Sequence, residues 1–145
     1  MTEPLHSNLV ALGNSAVNKP LYEAKGVNRE FLEKFPSPFA GPHNGRVKIE
    51  APEFTSLCPL TGQPDFAEII VEYQPNEWCV ESKAFKLYLG SYRNQGEFHE
   101  SIVNRITLDL VDLLHPAWLQ VEGRFTPRGG IKFWPTCTYY DQDEE

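Results

Sequence analysis

The stretch from Phe98 to Phe125, FHESIVNRITLDLVDLLHPAWLQVEGRF, decides the fold because it passes from helical to strand periodicity without a long break. Ile102, Val103, Ile106, Leu110, Leu113 and Leu114 form an apolar stripe at helical spacing, whereas Asn104, Arg105 and Asp109 fall elsewhere. This predicts a helix from about Phe98 to Leu114. His115-Pro116 closes it, since the residue before a proline is pushed out of the helical region. Trp118 to Phe125 then reads as a strand, and Ile131 to Trp134 as another, joined by the turn-rich loop Thr126-Pro127-Arg128-Gly129-Gly130. Toward the N-terminus, Ser82 to Tyr92 places Phe85, Tyr88 and Tyr92 at i, i+3 and i+7, which predicts a short helix ended by Asn94-Gln95-Gly96. Before it come the strand Phe66 to Tyr73 (FAEIIVEY) and the alternating run Arg46-Val47-Lys48-Ile49-Glu50, introduced by the turn signal Asn44-Gly45.

The order strand, strand, helix, helix, strand, strand predicts an α+β domain, an antiparallel sheet with both helices on one face. So small a sheet has two edges, and pairing with another copy of the chain is a common way to protect them. Residues 1–45 hold Pro4, Pro20, Pro36, Pro38 and Pro42 between short apolar runs. They are expected to form an extension that wraps the core, leaving 46–145 as the single domain.

The 145 residues carry 13 Lys and Arg against 20 Asp and Glu, a formal charge of −7, with a pI near 5.1. A broad basic footprint for nucleic acid or anionic lipid is therefore absent, and an anionic ligand would need a local cationic cluster. Cys58, Cys79 and Cys137 are odd in number and widely spaced, unlike a disulfide framework or a CxxC zinc knuckle, which fits a reducing, cytoplasmic setting. No apolar run reaches membrane-spanning length, and Glu3, Pro4 and His6 stand where a signal peptide would be basic and then apolar. The chain reads as mature and soluble.

Ser56 to Phe66, SLCPLTGQPDF, is a Pro- and Gly-punctuated loop before the best strand, and it carries Cys58 and Asp65. A loop held by a strand is a common place for catalysis. Two readings stand side by side: a small buried hydrophobe with a turn aspartate, or a nucleophile with an acid. An ordinary thiol is only about 3% thiolate at neutral pH, so a nucleophilic Cys58 needs nearby cations or a proton acceptor, with His99 a candidate in space. Lys83 and Lys86 share a helix face at i, i+3, as solvated lysines or, with Arg128 on its glycine loop, as a phosphate clamp. Glu81 and Glu100 are either acidic residues at helix starts or carboxylates that grip the two-donor edge of a guanine-like ring. GxGxxG is absent, and His99-Glu100 fails as HExxH because position 103 is Val.

Four segments in order, Glu53–Pro59 with Thr61–Phe66, Glu81–Tyr88, Phe98–Glu100 and Phe125–Ile131, resemble the NADPH-dependent 7-cyano-7-deazaguanine reductases, the nitrile reductases of queuosine biosynthesis in tRNA modification. The resemblance runs from about Leu12 to Tyr139 and is to the short, single-module form. It implies the tunnelling fold, whose ββααββ unit matches the order above and assembles into homo-oligomeric barrels with sites between subunits. It implies that the Cys58 thiolate adds to the nitrile carbon as a thioimide and that Asp65 donates the proton, which calls for a carboxyl pKa raised by burial or a neighbouring negative charge. By the same resemblance His99 and Glu100 hold the deazaguanine ring, Val80, Glu81 and Ser82 line its other side, and Lys83, Lys86 and Arg128 face the NADPH phosphates. No metal is implied, and Cys79 and Cys137 are structural. Alternatives of other classes are a zinc-dependent GTP cyclohydrolase, which shares the fold but needs Cys and His ligands not displayed around Cys58, and a non-catalytic purine-binding module.

Overall fold

A computed structural model describes residues 26–39 and 44–142. Four strands, β2 (Val47–Leu57), β3 (Pro64–Gln74), β5 (Trp118–Phe125) and β6 (Thr136–Tyr140), form an antiparallel sheet in the order β2-β3-β5-β6. Helices α1 (Ser82–Gly90) and α2 (His99–Leu114) complete the expected α+β layout. Two short strands, β1 (Lys34–Pro36) and β4 (Trp78–Val80), pair with each other in a small second sheet. The sequence did not announce them, because three-residue strands are too short for a period to register. No helix among the described residues is long and apolar enough to cross a membrane.

The core lies between the sheet and the helices. β3 alternates strictly, and Asp65, Ala67, Ile69, Val71 and Tyr73 all point inward. β2 changes phase midway. Val47, Ile49 and Ala51 share one face, a bulge between Ala51 and Phe54 absorbs an irregularity in register, and Phe54 and Ser56 then take the inward positions. The expected strand Arg46–Glu50 therefore continues to Leu57, and the expected loop over 56–66 shrinks to residues 58–63, with both ends absorbed into the hairpin β2–β3.

α1 starts on Glu81, whose carboxylate accepts hydrogen bonds from Lys83 N (3.0 Å) and Ala84 N (2.7 Å). These backbone donors hold the Glu81 carboxyl below its ordinary range. The helix ends at Gly90, earlier than the Asn94-Gln95-Gly96 signal, and turns carry the chain on. α2 ends on His115 in the left-handed conformation (φ 44°), where Asn76 Nδ2 donates to the His115 carbonyl at 2.9 Å. Asp109, expected off the apolar face, is buried. It sits seven residues, two helical turns, beyond Ile102, and the Tyr88 hydroxyl donates to its Oδ2 at 2.6 Å.

Ile131 to Trp134 is exposed and is not a strand. β6 begins only at Thr136, after Pro135, which has no N–H for the ladder. The preceding carbonyls still follow β5, accepting from Gly123 N and Phe125 N at 2.9 and 3.3 Å. Most of the extension expected over 1–45 falls outside the described residues. Its described part packs Val27, Phe31 and Leu32 against the core, and Arg29 pairs with Asp109 and Asp112 of α2.

Candidate active site

One cavity of about 240 Å3 gathers Cys58, Pro59, Asp65, Glu97, Phe98, His99, Glu100, Arg128 and Phe133 from three separate parts of the chain. Cys58 sits at the tip of the β2–β3 hairpin, where Cys58 N donates to the Gln63 carbonyl (2.8 Å) and Gly62 N to the Cys58 carbonyl (2.9 Å). Gly62 closes this turn at φ +70°, which suits a residue without Cβ. Leu57 bridges in parallel to Gly96, with Leu57 N donating to Gln95 O and Glu97 N to Leu57 O, so the thiol loop is tied to the start of α2. Gly96 stands so close to Pro59 that a Cβ would meet its Cα at 3.2 Å. That close approach, rather than the end of a helix, is what the glycine serves.

The surroundings of Cys58 favour the thiolate. Its pKa is lowered from 9.0 to about 6, first by the Thr61 hydroxyl and then by the backbone N–H groups of Thr61 and Leu60; burial opposes them, and Arg128 adds the smallest lowering. Thr61 is a functional candidate that sequence reasoning passed over. The available signal was a hydroxyl three residues after the cysteine in a turn sequence, TGQP.

Asp65 is 4% exposed at the end of the inward stripe of β3. Its Oδ2 lies 3.2 Å from His99 Nε2, and its Oδ1 contacts the Arg128 guanidinium. Of the two causes expected to favour its protonated form, burial is present, while its direct partners are a cation and an imidazole rather than another carboxylate. Ser56 stands opposite Asp65 in the ladder, its buried hydroxyl without a hydrogen-bond partner among the described residues. His99 stacks on Phe125 with ring centroids 3.7 Å apart and meets Phe133 edge-on at 6.2 Å. Burial lowers the His99 pKa, which Glu100 opposes, so the imidazole is mainly neutral near pH 7. Glu100 is exposed at the same cavity.

The remaining expected residues are not in this cavity. Val80 is buried and donates its N–H to the Tyr73 hydroxyl at 3.1 Å, and Glu81 spends its carboxylate on the α1 cap. Ser82 and Lys86 line a second, larger groove of about 630 Å3, walled by Ile49, Ala51, Phe54, Phe85 and Leu89 and including Glu53 and Arg93. Lys83 is exposed beside it in sequence but does not line it. Cys79 is buried, Cys137 is partly buried, and both are unpaired. Among the described residues no three His, Cys, Asp or Glu side chains stand together as a metal site.

A family model described as QueF-like protein matches residues 64–144. The NADPH-dependent 7-cyano-7-deazaguanine reductase of Ruegeria pomeroyi is 46% identical over 99% of this chain and 86% of its own length. That of Streptococcus mutans is 61% identical over 64% of this chain and 57% of its own, so the match spans little more than half the length of the streptococcal relative. The crystal structure of an archaeosine synthase QueF-Like in the apo form superposes with a TM-score of 0.58 at 22% identity, covering 68% of this chain and 94% of that one, a likeness of fold. Identity of this degree along almost the whole sequence, with the family model covering β3 to the C-terminal strand, makes this chain a member of the QueF-like family.

Proposed function

We propose that this chain reduces the nitrile of 7-cyano-7-deazaguanine to the aminomethyl group of 7-aminomethyl-7-deazaguanine, in the cytoplasmic pathway to queuosine. The observation that carries the reading is the meeting in one cavity of a thiol whose pKa is lowered to about 6 with the Asp65–His99 pair and Glu100. Relatives with this activity in their names support it.

The Cys58 thiolate attacks the nitrile carbon, a C–S bond forms, and one π bond of C≡N gives way as the nitrogen takes a proton. Asp65, with His99 hydrogen-bonded to it, supplies that proton from the wall of the cavity. Glu100, at the same cavity, accepts the paired N–H donors of the purine-like edge. Two NADPH molecules, bound in turn, would each supply one of the two hydrides that a four-electron reduction needs. After the first reduction Cys58 leaves as thiolate, releasing an imine, and the second reduction, with a proton taken up from solvent through Asp65, gives the amine. The larger groove fits such a cofactor in donor chemistry, with apolar walls for flat rings and Lys86 and Arg93 for phosphate groups. Lys83 belongs to the phosphate-facing set implied by the resemblance; Arg128, the third member of that set, lines the Cys58 cavity instead.

The active assembly is a homo-oligomer in which Val80, Glu81 and Ser82 of one copy face the Cys58 cavity of another. This accounts for substrate-facing residues that lie apart within one chain.

Incubation with 7-cyano-7-deazaguanine alone should add its mass to the wild type and not to Cys58→Ala. With NADPH present, two equivalents should be consumed per nitrile. Neither adduct nor consumption in folded protein would reject this reading and favour a binding module, and stoichiometric zinc in protein that opens the ring of GTP would favour the cyclohydrolase.

A further inference from the structure

Arg128 has a place in the structure that a phosphate grip does not explain. Its loop is fixed: Arg128 and Ile131 exchange backbone hydrogen bonds (3.0 and 2.9 Å), Gly129 and Gly130 take positive φ (+56° and +77°), and Thr126 N donates to the Phe66 carbonyl, next to Asp65. From that turn the guanidinium reaches into the cavity that Cys58 also lines and contacts Oδ1 of the buried Asp65, and its charge adds to the groups that favour the Cys58 thiolate. The groove with Lys86 and Arg93 is separate. Drawing Arg128 away to a phosphate would leave Oδ1 of the buried Asp65 side chain without its partner, which is costly.

We infer that Arg128 is a positioning residue of the Cys58–Asp65 pair, its guanidinium holding the Asp65 carboxyl group in place in the cavity of the thiol, in the arrangement from which attack begins, before any phosphate-bearing ligand is present. The inference rests on the proposed reaction for its catalytic meaning, while the contact itself belongs to the ligand-free protein. The charged and titratable groups around Cys58 are Asp65 from β3, Glu97, His99 and Glu100 from the start of α2, and Arg128 from the β5–β6 loop. Glu97 is paired with Arg105 at 4.0 Å, and Asp65 is shared between His99 and Arg128. Loss of Arg128 therefore removes the one Lys or Arg side chain that lines the cavity and leaves only the acidic groups and His99 around the thiol.

Two measurements without NADPH test this. The first is the pH dependence of Cys58 alkylation by iodoacetamide, followed on the Cys58 peptide so that Cys79 and Cys137 do not contribute. In Arg128→Ala its midpoint should rise by roughly half a unit, and in Arg128→Lys, which keeps a cation, it should return most of the way. The second is the rate of adduct formation with 7-cyano-7-deazaguanine alone, which should fall roughly tenfold at pH 7 in Arg128→Ala. Circular dichroism matched to wild type sets aside misfolding. An Arg128→Ala protein with wild-type alkylation midpoint and adduct rate, changed only in its KM for NADPH, would overturn the inference and return Arg128 to the phosphates. A shifted midpoint in a protein whose wild type forms no adduct would uphold the contact and reject the nitrile reaction, so the two failures are distinguishable.

Discussion

The reactivity of Cys58 is set by a few atoms of its own turn. The Thr61 hydroxyl and two backbone N–H groups stabilise the thiolate more than the Arg128 guanidinium does. With the pKa lowered to about 6 the group is roughly nine-tenths thiolate at pH 7, and nucleophilicity is lost as pH falls through 6. Thr61→Val keeps the shape of the side chain and removes the donor. Its alkylation midpoint should move up from about 6 toward 9.0, and single-turnover adduct formation at pH 6.5 should slow several-fold while the rate at pH 9.5 stays near wild type. An unmoved midpoint would place the activation elsewhere. Asp65 shows the same economy: extending the β3 alternation two residues back from Ala67 already puts it on the core face, where His99 and Arg128 reach it.

At the level of elements, the site depends on how closely α2 lies on β5. Gly123 faces Val103 of α2, and a Cβ there would come within 2.9 Å of Val103 Cγ2 and 2.8 Å of the Phe125 ring. Phe125 is also the ring on which His99 stacks. Gly123→Ala should therefore cost about 1–3 kcal/mol in urea denaturation through overpacking. It should also slow adduct formation, because a displaced Phe125 carries His99 with it. A variant as stable as wild type would mean that helix and sheet part without strain. The Leu57–Gly96 bridge acts on the other side of the cavity, fixing the thiol loop to the first turn of the same helix.

Across the whole molecule, Ser82 lines one groove and His99 and Glu100 another, and the described edges of the four-stranded sheet, β2 and β6, have no partner strand among the described residues. Phe98 and Phe133, at the Cys58 cavity, are 59% and 49% exposed, an apolar rim suited to a second copy of the chain. Light scattering should give a mass several times 16.5 kDa. Cys58→Ala and Ser82→Ala should each turn over poorly alone and recover part of the wild-type rate when mixed after mild dissociation, since mixed oligomers contain some intact sites. Absence of any recovery, with subunit exchange verified by mass, would place each complete site within a single chain.

The α+β class, the two helices, the strand Trp118–Phe125 and the cysteine loop were legible in the chain alone, because period 2, period 3.6 and proline or glycine punctuation are local properties. The sequence also carried the four motifs by which the family resemblance was legible. Tertiary structure decided what depends on partners distant in sequence. The β2 bulge, the short β1–β4 pair and the late start of β6 follow from ladder register and neighbouring backbone. Burial of Asp109 follows from a tyrosine twenty-one residues away. The meeting of Arg128 with Asp65 follows from a glycine turn set against the start of β3. Charge and hydrogen bonding act through space, so which cation serves which anion was fixed only when the strands and helices had packed.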